Sequence, residues 1–363
     1  MLSMLGSSSQ TRFEVSADSQ IGECRRAAQR LAQVSGFDET AVGRVGIVAS
    51  ELATNLVRHA GGGELLLQAL AGQGDMQIEL LAIDRGPGMS DVQSCLRDGY
   101  STGGTLGAGL GAVMRLSGVF DIYSVVGQGT VVLARLKRGG AKGSADGRGE
   151  SRGAAGSGAA RLDDALELGA ICVPMPGEIE CGDGWQVACD GDAAAMLVVD
   201  GLGHGTFAAA AARAASTAFA AEPFRPPVEA MRHMHRAMSG TRGAAAACAL
   251  LPPCSQTLEY AGIGNIGGYM ISPERSQGLV SHNGTLGTQL LRVQQFSYAW
   301  PRDGRVVMHS DGISARWSVS AYQGLHTHHS AVIAAVLYRD HGRGRDDATV
   351  LVLGRRAARG GLQ

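Results

Sequence analysis

Between positions 139 and 160 the chain reads GGAKGSADGRGESRGAAGSGAA, with no aliphatic side chain larger than alanine and no aromatic ring. Burial cannot offset the entropy lost in ordering such a stretch, so it predicts a flexible linker. It cuts the 363-residue chain into residues 10–138 and 161–356, each of domain size. The chain must therefore fold as two units. Hydrophobic residues are 45 % of the sequence, enough for two cores, and its 54 glycines are about twice ordinary usage.

Thirty-two basic against thirty-three acidic residues leave a net charge of -1 and no basic stripe, which excludes a large nucleic-acid footprint. Arg355, Arg356 and Arg359 read as a solvated tail. No apolar run is long enough for a membrane helix, and MLSMLGSSSQTRFEV lacks the plan of a signal peptide. A cytoplasmic protein with no membrane or nucleic-acid partner is expected. The seven cysteines are odd in number and form no CxxC, so free thiols are expected. Cys181 and Cys189 flank a candidate site but read as thiols rather than ligands.

Apolar periodicity predicts strands at 11–16, 64–71, 76–83, 120–126 and 130–136 in the first unit, with helices at 21–34, 38–58 and 110–116. Two early helices over a mostly antiparallel sheet make an α/β sandwich. The second unit reads as strands at 168–174, 186–189, 194–199, 245–251, 257–261, 268–272, 290–297, 306–309 and 349–353. Helices are expected there at 208–221, 228–238 and 328–338, giving a sheet sandwich flanked by helices. The class is α/β in the mixed, α+β sense.

In the first unit Glu51 and Asn55 stand one helical turn apart, and Asp84-Arg85-Gly86-Pro87-Gly88 follows the apolar strand IELLAI. Gly103 to Gly111 then opens a helix, and Gly127-Gln128-Gly129-Thr130 marks a hairpin turn. Each feature alone is common. In this order they describe a nucleotide pocket: a carboxylate for a base's exocyclic amine, then glycines whose backbone N–H groups converge on phosphates.

Here the chain resembles the GHKL ATPase superfamily, in its small anti-sigma-factor and switch-kinase branch that acts on STAS-domain proteins. ELATNLVRHA is similar to its N box, DRGPGM and GTLGAGLG to its glycine boxes, and GQGT to its last motif, over about residues 10–137. The resemblance implies a Bergerat-type fold that binds ATP with Mg²⁺. Asn55 would hold the Mg²⁺ through its side-chain carbonyl. Asp84 would read adenine beside Gly86 and Gly88. Thr105, Gly107, Gly109, Leu110 and Gly111 would form the lid, and Thr130 would complete the pocket. Glu51 is the candidate general base for phosphoryl transfer, although the same placement would activate water. Arg58 and His59 read as surface residues.

In the second unit Asp183-Gly184, Asp200-Gly201, Asp311-Gly312 and Asp346-Asp347 stand at the ends of apolar strands. One Asp-Gly is ordinarily a turn, but four such sites suit two hard divalent ions, Mn²⁺ or Mg²⁺. VVDGLGHG, MHSDGI, GRDDATVLVL, GIGN at 262–265 and GTLG at 284–287 resemble the PP2C-type metal-dependent serine/threonine phosphatases. Their bacterial branch, typified by sporulation and stress-response phosphatases, is the nearest in pattern, over about 165–354. The resemblance implies a dinuclear site of Asp183, Asp200, the Gly201 carbonyl, Asp311 and Asp346, with Asp200 bridging, Asp347 in support and no protein nucleophile. Eukaryotic relatives place a histidine directly after the second Asp-Gly. Here Leu202 and Gly203 intervene before His204, which puts an acid role for it in question. No arginine upstream of Asp183 matches their phosphate-binding residue.

Taken together, the two resemblances imply a bifunctional partner-switching regulator. Its first unit would phosphorylate a STAS-domain anti-sigma-factor antagonist or stressosome-like protein, and its second would dephosphorylate phosphoserine or phosphothreonine. A sigma factor or response regulator would be a further partner, and a homodimer is compatible. Two alternatives stay open. The first unit is a non-catalytic ATP-gated anti-sigma or antagonist-binding module, or it senses ATP to regulate the phosphatase.

Overall fold

The computed structural model describes residues 3–6, 10–71, 76–96, 109–138 and 166–355, apart from 274, 290, 291 and 302. The expected linker at 139–160 lies outside the described residues. In chain order the first part holds β1 (Ser3–Gly6), β2 (Thr11–Val15), α1 (Asp18–Val34), α2 (Glu39–Ala60), β3 (Gly63–Ala71) and β4 (Met76–Ile83). It continues with α3 (Val92–Leu96), α4 (Gly109–Leu116), β5 (Val119–Val125) and β6 (Gly129–Lys137). Helix α2 starts where Asp38 caps it, its carboxylate accepting from the Ala41 N–H at 2.7 Å, and ends at Gly61. Its stripe of Val45, Val48, Ala49, Leu52 and Leu56 is buried against one face of an antiparallel sheet ordered β2-β3-β4-β6-β5.

The second part holds β7 (Leu166–Val173), β8 (Asp183–Asp190), β9 (Ala193–Gly201), α5 (Thr206–Ala221), α6 (Pro227–Ala237), β10 (Ala244–Leu251) and β11 (Thr257–Ile263). After these come β12 (Gly267–Ile271), β13 (Ser276–Gly278), β14 (Ser281–His282), β15 (Phe296–Ala299), β16 (Arg305–His309), α7 (Ser330–His341) and β17 (Ala348–Arg355). One sheet runs β1-β8-β9-β10-β11-β14, with β15 also on β11, and the other runs β13-β12-β16-β17-β7. Their inner faces share a core that includes Trp185, Val187, Met196, Val198, Tyr260, Met308 and Leu351. Helices α5 and α6 cover the outside of the first sheet, and α7 covers the outside of the second.

One expectation is corrected, and one element was not expected. The strand expected at 290–297 is β15, beginning only at Phe296, because Val293 packs toward the core under α5 and α6 instead of joining the ladder. Strand β1, which no apolar pattern announces, pairs with β8 of the second unit, from Ser3 opposite Cys189 to Gly6 opposite Gln186. Gln10 fastens the chain that follows: its side chain donates to Ala170 O and accepts from Cys172 N, both at 3.1 Å.

The two units share a core. Leu66, Leu81, Ile83, Tyr123, Val131 and Leu133, on the sheet face away from α2, cluster with Val332, Ala335 and Val336 of α7. The run SAVIAAVLY is apolar all round, as a helix covered on every side requires, and residues 331–337 are fully buried. Polar ties ring this interface. Arg135 donates to Glu79 at 2.6 Å and to Leu168 O at 2.7 Å, and Tyr338 donates to Glu64 at 2.9 Å.

Candidate functional site

The first site forms around the end of β4. Asp84 Oδ1 accepts from the N–H groups of Gly86 at 2.8 Å and Thr130 at 3.0 Å, which leaves its second oxygen outside these bonds. Burial raises the Asp84 carboxyl, and these two backbone bonds, then the Arg339 charge, hold it back. Thr130 also shares a 2.8 Å hydrogen bond with the Ser124 hydroxyl, so it fixes the loop that aims Asp84. The glycines serve chain packing as well as access. Gly88 (φ +70°) and Gly129 (φ +88°) have conformations that L side chains rarely adopt, and a Cβ on either would strike backbone, at Val125 and at Asp84 respectively. A Cβ on Gly86 would lie 2.7 Å from Ala60 Cα.

Glu51 and Asn55 lie half-buried on one side of α2, and α4, opened by Gly109, Leu110 and Gly111, packs against that helix. Among the described residues Asn55 Nδ2 is buried without a partner, an N–H donor left open to an acceptor on a ligand. Thr105 and Gly107 lie outside the described residues.

At the second site, pairing extends β8 three residues ahead of its expected start and sets Asp183 directly opposite Asp200. Alternate residues Trp185 and Val187 enter the core between the sheets, so Asp183 sits at the end of that same face. Asp311 follows β16 and Asp346 precedes β17, at the same end of the sandwich. Burial, then the charge of Asp200, raises Asp183 well above the carboxylate range. Asp200 is pushed up to about 7 by burial and then by Asp311 and Asp346. Among the described residues no three acidic, His or Cys side chains are placed together so as to hold a metal ion. The donor set is nonetheless all oxygen, and among the described residues Asp183 Oδ2 is buried without a partner, which fits a hard divalent cation.

Asp347 is held by backbone donors. Its oxygens accept from Met175 N at 2.8 Å and Gly182 N at 2.9 Å, tying β17 to the approach to β8. His204 hydrogen-bonds Glu178 at 2.7 Å on the exposed side of its loop, apart from the carboxylates. Cys181 lies 3.7 Å from Cys172, sulfur to sulfur, and all seven cysteines are free. Two residues absent from the expected set join the site. Asn265 donates to Asp311 Oδ2 at 2.6 Å, and the Arg343 charge lowers the Asp311 carboxyl against burial and Asp346. Asn265 was visible as the last letter of GIGN; Arg343 carried no signal beyond its nearness to Asp346.

The sequence profile of the histidine kinase-like ATPase domain matches residues 14–136, and that of stage II sporulation protein E (SpoIIE) matches 190–356. Over 124 residues the chain is 37 % identical to the serine/threonine-protein kinase RsbT of Bacillus subtilis (strain 168), covering 34 % of this chain and 89 % of RsbT. The chain belongs to the RsbT-like histidine kinase-like ATPases, here fused to a SpoIIE domain. Among solved structures, RsbX in complex with magnesium is 18 % identical at a TM-score of 0.48, over 53 % of this chain and 96 % of that one. The PP2C domain of Bacillus subtilis SpoIIE with a regulatory fragment is 12 % identical at 0.45, over 95 % and 99 %. The match to the SpoIIE profile begins after Asp183, which strand pairing sets opposite Asp200 inside the matched region. Among the described residues no helix is long and apolar enough to cross a membrane.

Proposed function

We propose that this chain is a cytoplasmic partner-switching regulator with two opposed activities. The RsbT-like domain transfers the γ-phosphoryl group of ATP to a serine or threonine of a STAS-domain protein, and the SpoIIE domain hydrolyses phosphoserine or phosphothreonine on a protein of the same pathway. The observation that carries the reading is the grouping of Asp183, Asp200, Asp311 and Asp346 at one end of the sandwich, in a chain that also aims Asp84.

In the kinase domain Asp84 accepts from the adenine amine, Asn55 would hold Mg²⁺ with ATP, and Glu51 takes the proton of the incoming hydroxyl. In the phosphatase domain Asp183, Asp200, the Gly201 carbonyl, Asp311 and Asp346 would hold Mn²⁺ or Mg²⁺. Such ions supply positive charge for the phosphoryl oxygens and lower the pKa of water. Asn265 orients Asp311, and Asp347 holds the strand ends in register.

The test pairs two assays on one STAS-domain protein: transfer from labelled ATP, and Mn²⁺-dependent release of phosphate from its phosphoserine form. Glu51→Gln should abolish transfer alone. Asp200→Ala and Asp311→Ala should each lower hydrolysis by at least about a hundredfold. Tight ATP-dependent binding without transfer would refute the kinase, and unchanged hydrolysis in both aspartate variants would refute the metal site.

A further inference from the structure

The loop after Asp200-Gly201 and the first turn of α5 expose apolar side chains that the chemistry above does not use: Leu202 is 46 % exposed and Phe207 67 %. Arg242, from the turn between α6 and β10, lies over the Phe207 ring with Cζ 4.7 Å from its centroid. The turn is fixed to the loop, since Leu202 N donates to Gly243 O at 3.0 Å and β10 pairs Ala244 with Gly201 and Ala245 with Asp200. Thr241 braces it further, donating to Met238 O at 2.7 Å and accepting from Gly243 N at 3.1 Å. A Cβ at Gly203 would come within 3.1 Å of Arg242 Nη1, so a glycine there leaves room for the guanidinium. On its other side the loop is pinned by His204 to Glu178.

Of the other arginines on the α5 side, Arg213 pairs with Glu180 at 2.9 Å and Arg225 with Glu222 at 2.5 Å. Among the described residues no carboxylate pairs with Arg242. The site therefore offers a fixed guanidinium with free N–H groups beside exposed apolar surface, on the loop that carries two of the candidate ligands. Guanidinium forks match phosphate and carboxylate, and an exposed aromatic at a helix start beside a braced loop is a ready anchor for a partner side chain.

We propose that Arg242, Phe207 and Leu202 form a docking platform for the protein substrate of the phosphatase domain, taking the segment that flanks its phosphorylated serine or threonine. Arg242 pairs with an acidic side chain of that segment, and Phe207 and Leu202 cover an apolar one. This rests on the phosphatase reading above.

The test compares the serine-phosphorylated STAS-domain protein with p-nitrophenyl phosphate, which is too small to span the platform. Arg242→Ala and Phe207→Ala should each raise KM for the phosphoprotein roughly tenfold, with kcat/KM for p-nitrophenyl phosphate within about twofold of wild type. Arg242→Ala should also flatten the salt dependence of phosphoprotein turnover, and Arg242→Lys should restore only part of the KM. An unchanged phosphoprotein KM, or equal losses on both substrates, would overturn the platform. Binding of the phosphoprotein to Asp200→Asn protein, read by titration calorimetry, separates the two readings. If that binding weakens in the Arg242 and Phe207 variants while wild type hydrolyses neither substrate, the platform stands and the phosphatase reading falls.

Discussion

Asp200 is the residue on which burial and charge act most plainly. Its carboxyl is raised to about 7, so in the folded protein it holds a proton that the unfolded chain releases near pH 4. A folded pKa above the unfolded one contributes stability that is fully present below about pH 4 and is lost as pH rises through about 7. Chelator-treated wild type should therefore lose melting temperature relative to Asp200→Asn between pH 5 and pH 8. Mn²⁺ should remove most of that slope, since a cation favours the charged carboxylate. A difference that stays flat across this range in chelator would contradict the burial and mutual repulsion ascribed to the group. The aspartates themselves were legible because each stands at the end of an apolar run. Asn265 was half-legible: the string it closes was noticed, but its bond to Asp311 depends on two strand ends that sequence spacing does not bring together.

At the scale of elements, β7 and α7 show why the fold was more legible than its packing. Both were expected from apolar runs, yet nothing in either run says that the start of α7 crosses β7 at Gly169. A Cβ there would strike the backbone of Ser330 and Ala331. Gly169→Ala should therefore displace α7 and cost about 3 kcal/mol or more, read as a lower denaturant midpoint with an unchanged slope. An unaffected midpoint would mean that α7 does not bear on this strand. Helix α2 was readable because Asp38, Gly61 and the stripe between them are all local signals. β1 was not, because four residues of short strand acquire their partner from a unit more than 170 positions away. The start of β8 failed for a related reason: Asp183 and Gly184 are not strand-like alone, and only the ladder with β9 makes them so.

Across the whole molecule, α7 makes the two domains one packed body. The kinase-domain sheet is apolar on both faces: Leu65, Leu67, Ile78 and Leu80 meet the helices, while Leu66, Leu81, Val131 and Leu133 meet the α7 core. The apolar run Leu80–Ile83 that ends β4 places side chains on both faces, but nothing in it says what covers the second face. The cover is the phosphatase helix, fixed at its rim by Asp121, which accepts from His329 N at 2.7 Å and hydrogen-bonds His328 at 2.9 Å. Arg339, near the end of the helix, has its carbonyl bonded by Arg85 beside Asp84, and the chain then runs through Arg343 to Asp346. An interface of this kind does not need the 139–160 connection to hold it. A protease site inserted in that stretch should, after cleavage, leave two fragments that co-elute on size exclusion and unfold in one transition. Replacing both Leu81 and Leu133 with glutamate should separate them, because two charges would then face a core without counterions. Fragments of the wild-type sequence that part on cleavage and melt separately would show that the linker, and not α7, keeps the domains together.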